Sequence, residues 1–308
     1  MGTSDERDAT HDAAPGGATE WASIAPDARL QPLFEIVGEV IAAAELAAEA
    51  ATEKTENVHF DVYVLERGIK ALKSARLLVG AGHWENASAV ARQLFELLVN
   101  MEHLGSFADR EKAQSLYSGF GFVQFFLAEL RRMEFEKEHG RPPSSRWESA
   151  VREALDKFFN DFKLTPRADG SIRWRPSWSG KTTRALAELS LDPMREHQYE
   201  LLFSAWSEQT HATPGVFATD LFDRYEVEVS AEALAKAEGV PPGRFPLLTG
   251  ADRKAAQTLS MTITLFIQLW QQLPNVPQSS VEEINSRLGR VRMFMARKVF
   301  RPSLPIAE

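Results

Sequence analysis

The chain has 308 residues, 44% hydrophobic and 25% charged, which excludes a chain disordered or fibrous throughout and leaves material for a sizeable core. A net charge of −8 argues against nucleic-acid binding through bulk charge, and the lack of cysteine excludes a disulfide framework and a thiolate zinc site. Nothing in the chain asks for an oxidising compartment, so the cytoplasm is the expected location.

Residues 1–26 mix Gly, Ala, Asp, Thr and Pro without periodicity and read as a disordered tail. Asp5, Glu6, Asp8 and Asp12, with no apolar run beside them, are the opposite of a secretory signal. From Asp27 onward apolar residues recur three and four apart. The spacing predicts helices over 27–53, 58–80, 85–105, 109–139, 146–161, 181–190, 195–211, 251–273 and 279–299, with stops at Gly80, Gly105, Gly140 and Pro274. One domain over 27–300 is expected: an all-α, irregular bundle of about seven to nine helices.

The pattern breaks in two places. Tyr225, Val227 and Val229 alternate with acids as a short exposed strand would, and 171–174 is its expected partner. Residues 239–250, with Pro241, Pro242, Gly243 and Pro246, are loop, so a small loop or hairpin excursion is expected near 220–250. Residues 259–269 also alternate at period two, but length favours helix, and Ser260, Thr262, Thr264 and Gln268 interrupt a run too short to cross a bilayer. Arg287, Arg290, Arg292, Arg297, Lys298 and Arg301 crowd the last helix behind Glu282 and Glu283. That order suits the helix macrodipole; a docking face for RNA or an acidic partner is the alternative.

Two helices hold the candidate chemistry. In 85–105, Val90, Leu94, Leu97, Leu98, Met101 and Leu104 fill one side, and Phe95 and Val99 carry the apolar surface most of the way round. The remaining stripe holds Arg92, Glu96, Asn100 and His103, expected to press against other protein, with Arg92 paired to Glu96 one turn on. In 195–211, Tyr199, Leu202, Phe203 and Trp206 make a core stripe, while Glu200, Ser204, Ser207 and His211 align on another. Pro214 ends that helix, leaving His211 near a C-terminus, where the dipole favours a protonated imidazole.

The run Ala91-Arg92-Gln93-Leu94-Phe95-Glu96, then Trp178-Ser179-Gly180-Lys181, then Tyr199 with Ser207 four residues before His211 and Ala-Thr-Pro after it, resembles the bacterial domain-of-unknown-function family five-six-seven-seven over roughly 55–270. The resemblance implies a helical fold and a single cluster of Arg92, Glu96, Tyr199, Ser207 and His211. It implies no activity.

Several chemistries compete for that cluster. As a satisfied polar network it fixes how two helices meet, and the protein is a binding or regulatory module, in bacterial stress or phage defence by analogy. As a metal-independent ribonuclease of the HEPN kind it uses His211 to move a proton and Arg92 to steady a phosphate, with Glu96 beside them. The sequence departs from that pattern, because no arginine stands four to seven residues before His211. Glu-x-x-His pairs occur at Glu136 with His139 and Glu208 with His211, but the lone glutamates a di-iron site needs are not evident. Ser207 and His211 lack the elbow that presents a catalytic serine. Gly180-Lys181-Thr182 mimics the end of a phosphate loop, yet Arg175 stands where its first glycine belongs; it reads as a helix start capped by Ser179 or Thr182. Neither cofactor nor metal is called for. An RNA or a protein is the expected partner, and self-association stays open.

Overall fold

The computed structural model describes residues 29–51, 55–141, 143–168, 170–206 and 250–298. Its architecture is all-α, and where the amphipathic spacing predicts helices they form, within a few residues. α1 (Gln31–Ala50) starts at a proline-bearing first turn and buries Leu33, Phe34, Val37, Val40, Ile41 and Ala44, three and four apart. α2 (Glu56–Gly80) is capped by Thr55, whose side chain accepts from the Val58 amide. The turn into α3 (Trp84–Gly105) passes through Gly82, which holds a left-handed φ of 80°. Asp109 caps α4 (Arg110–Glu138), and Gly140, at φ 72°, ends the turn after it.

α5 (Ser145–Phe158) is shorter than its expected span. A 3-10 turn at Asn160–Phe162 replaces its last residues and leads into β1 (Lys163–Leu164). β2 (Arg173–Trp174) pairs antiparallel with β1, Lys163 opposite Trp174. Among the described residues the partner of this strand is therefore the segment just upstream, brought round by a turn in which the Arg167 amide donates to the Ser171 carbonyl. Residues 224–229 lie outside the described residues, as does the excursion of 220–249.

α6 (Thr183–Glu188) is capped by the Thr182 hydroxyl, so Gly180-Lys181-Thr182 is a helix start. α7 (Met194–Glu200) runs into a π turn over Leu201–Ala205, where the expected helix continued as α. α8 (Gly250–Gln271) and α9 (Val281–Lys298) complete the described chain.

α8 is the centre of the bundle. Leu259, Ile263, Leu265, Phe266 and Leu269 have no exposed surface, and the helix packs on α3, α2 and α1. The approach to α2 is close at Gly68, where a Cβ would sit 2.9 Å from the Phe266 ring. α3 lies between α2 and α8, with α6 against it, while α9 closes over α1 and α8. The α4–α5 pair is more peripheral. Much of α4 faces outward, including Phe122, Phe125 and Phe135. No helix among the described residues is long and apolar enough to cross a membrane.

Candidate functional site

The polar stripe of α3 forms as its spacing requires, but it is less dry than expected. The Arg92 and Glu96 side chains stand 3.6 Å apart and retain 34% and 44% of their exposure, so the pair lies at the edge of the core. Arg92 also lies over the Phe203 ring, 3.9 Å from its centroid. Phe203 in turn stacks on Tyr199 at 4.6 Å, and both rings meet Phe95 of α3. The structure thus joins Arg92, Glu96 and Tyr199 through an aromatic bridge from α7 and its π turn. Burial pushes the Glu96 carboxyl above the usual carboxylate range, with the charge and hydrogen bond of Arg92 opposing that push.

One turn further along α3, Asn100 uses both ends of its amide. Its nitrogen donates to the Glu96 carbonyl at 2.6 Å, and its oxygen accepts from the Trp178 indole at 2.5 Å. Trp178 is buried among His103, Phe107 and Tyr117, with centroids between 5.5 and 5.9 Å away. Burial, and secondarily the charge of Lys181, hold the His103 imidazole below its ordinary value. Trp178 therefore ties the loop before α6 to α3.

The other nominated groups fall elsewhere. Glu200 is exposed and meets Arg184 of α6 at 3.7 Å. Ser207, Glu208 and His211 lie outside the described residues, as does the side chain of Ser204. Glu136 pairs with Arg132, and His139 stacks on Phe135 while its Nδ1 meets the Phe135 carbonyl. Among the described residues no three His, Cys, Asp or Glu side chains are grouped to hold a metal ion. On α9, Arg290 is pinned to Glu39 of α1 at 2.6 Å, so this basic residue helps to dock the helix.

Sequence reasoning passed over a drier polar group. Arg195 of α7 is 2% exposed and grips Glu102 of α3, with Nε at 2.9 Å and a second nitrogen at 2.5 Å from Oε1. Its other terminal nitrogen donates to Gln198 at 2.7 Å and to Gln268 of α8 at 3.0 Å, and stands 3.2 Å from Asp192. This group borders a cleft of about 530 Å³ lined also by His103, Ser190 and Gln272. A cation in the first turn of a helix opposes the macrodipole, and that was the one available sign that Arg195 had a strong partner elsewhere.

Among known proteins, the model of a family of unknown function, DUF5677, matches residues 62–226. The chain belongs to DUF5677. No curated protein and no solved structure matches it. The DUF5677 match is shorter than the span expected from the motifs: it begins inside α2, takes in α3 to α7, and stops before α8. The core does not respect that limit. α8 packs on both α3 and α2, and its Leu259, Ile263 and Phe266 are each fully buried, each contributing about 1.5–3 kcal/mol of apolar burial.

The half-exposed setting of the α3 stripe sets the expected effect of Arg92→Ala. An edge ion pair contributes about 0–1 kcal/mol and an exposed cation–π contact about 0.5–1, so a loss of roughly 0.5–2 kcal/mol is expected, against about 3–5 for a dry pair. Urea denaturation measures it. A loss above that range would mean that Glu96 is left in a dry site after all.

Proposed function

We propose that this DUF5677 protein is a binding or regulatory module of the reducing cytoplasm, in which the α3 cluster positions helices and does no covalent chemistry. One observation carries this reading: Arg92, Glu96, Asn100 and Trp178 are committed to one another and to the ring beside them. Arg92 is shared between Glu96 and the Phe203 face, the Asn100 amide is used at both ends, and the Trp178 N–H is taken by Asn100. Groups satisfied in this way specify a packing, whereas a nucleophile or base must keep a lone pair or proton directed at substrate. A role in stress or phage defence remains an analogy drawn from helical bacterial proteins.

The competing reading is the metal-independent ribonuclease with Arg92 and His211. What favours it is the partial exposure of Arg92, which leaves the guanidinium within reach of a phosphate. Incubation of the purified chain with labelled RNA in the presence of chelator separates the two. The binding reading expects intact RNA with the wild type. Cleavage that disappears in both Arg92→Ala and His211→Ala, with helical circular dichroism retained, would establish the nuclease in its place.

A further inference from the structure

A second cleft, of about 640 Å³, lies between α4 and the β1–β2 ribbon, apart from the α3 cluster. Four arginines line it: Arg131 from α4, and Arg167, Arg173 and Arg175 from the ribbon and its turn. No aspartate or glutamate is among the described residues that line it, and Asp161, just before the ribbon, is exposed outside it. Among the described residues Arg131, Arg173 and Arg175 have no side-chain partner, and Arg167 makes only a 3.4 Å contact with the Ser171 hydroxyl. Arg132, Arg152, Arg184 and Arg290 each hold a carboxylate, whereas Arg76, Arg141 and Arg292 are exposed without one among the described residues, so the cleft is distinguished by gathering four arginines round one concavity. In a chain of net charge −8, four guanidiniums around one concavity, with no carboxylate among its described lining, are a local reversal of charge.

The walls of the cleft are built to hold their shape. The Arg175 amide donates to the Phe162 carbonyl at 2.9 Å, extending the ribbon, and Phe162 packs against Phe120 of α4 at 5.6 Å between centroids. Phe162 also lies beside Gly119, where a Cβ would meet its ring in ordinary contact at 3.4 Å. Trp174, with the Lys163 ammonium 5.7 Å from its ring centroid, and the edge of the largely buried Phe120 add an aromatic wall beside the arginines. Guanidiniums matched in a fork geometry recognise phosphate oxygens, and an aromatic wall accepts the face of a planar ring. The volume suits a ligand of nucleotide size.

We propose that this cleft binds a nucleotide, either free or as the end of a single-stranded nucleic acid, with its phosphates on the four arginines and its ring against the wall of Trp174 and Phe120. The reading is independent of what the α3 cluster does. Binding relieves the mutual repulsion of the guanidiniums, so affinity falls as salt rises.

Isothermal titration of the full chain with ATP, AMP, pyrophosphate and a 5′-phosphorylated RNA pentamer tests it. ATP or the pentamer is expected to bind, more weakly at higher salt, and Arg131→Gln with Arg175→Gln to weaken binding by about tenfold or more. Trp174→Leu should weaken ATP and leave pyrophosphate unchanged. A stronger response to ATP identifies a free nucleotide as the ligand; a stronger response to the pentamer identifies a strand end. Absence of binding by all four probes at millimolar concentration overturns the proposal. So does binding that the arginine changes leave intact in a folded variant, or a pyrophosphate response lost together with ATP in Trp174→Leu. Arg131 stands on the exposed side of α4, so Arg131→Gln alone keeps the test decisive should the double variant unfold.

Discussion

Arg195→Ala is expected to lower the free energy of unfolding by about 3–5 kcal/mol, the cost of leaving a buried charge without its partner. The guanidinium joins α7 to Glu102 of α3 and Gln268 of α8, so its removal strands the Glu102 carboxylate and two amide oxygens and also takes the cation away from Asp192. Glu102 keeps 15% of its exposure on the rim of the smaller cleft, and water reaching it there sets the lower end of the range. Denaturation by urea, read with circular dichroism, measures the loss. The companion is Arg195→Met with Glu102→Gln, which removes both charges and should recover part of the stability lost in Arg195→Met alone. A loss near that of an exposed pair, about 1 kcal/mol or less, would mean that α7 moves aside and hydrates Glu102.

Asp61→Ala is the second large effect. Asp61 has no exposed surface, yet it sits on the apolar face of α2 between Val58 and Val64. One oxygen accepts from Arg110 at 2.7 Å, at the start of α4; the other accepts from the backbone N–H and side-chain amide of Asn275 at 3.0 and 2.9 Å. The residue therefore fastens α4 and the α8–α9 connection to α2. Removing it leaves a largely buried guanidinium and a backbone N–H unanswered, and the Arg110 Nε already lacks a partner. A loss of about 3 kcal/mol is expected, seen as a melting temperature lower by roughly 6–12 °C for a domain of this size. Asp61→Asn should lose nearly as much, because the new amide would turn a donor toward donors. A melting curve unchanged by Asp61→Asn would show that shape, and not charge, holds the junction.

Both residues show what the sequence makes legible and what it conceals. Helices are readable because their signals are local: Thr55, Asp109 and Thr182 cap as their positions imply, and apolar residues recur on one face. Asp61 was visible in principle, as an acid at core spacing in α2. Its partners were not, since Asn275 lies 214 residues away. The stripe of Arg92, Glu96, Asn100 and His103 was correctly aligned, but alignment does not tell how deeply a stripe is buried. Among the described residues Tyr199 of α7 and Phe203 of the π turn lie over it, and Arg92 and Glu96 stay partly in water. The pairing of 173–174 with 163–164 escaped the sequence for a related reason. Strands of two residues carry too little pattern to select a mate, and the turn over 167–171 with the packing of Phe162 made the selection.

Local pattern was enough for the fold class, for the approximate place of most described helices and for the DUF5677 motifs, because hydrophobic period and capping depend on residues within a turn or two of one another. Only the tertiary structure decided which charges are dry, which arginines are paired and which four line an open cleft. Those properties depend on what stands opposite a side chain across the core, and separate helices bring that from distant parts of the chain.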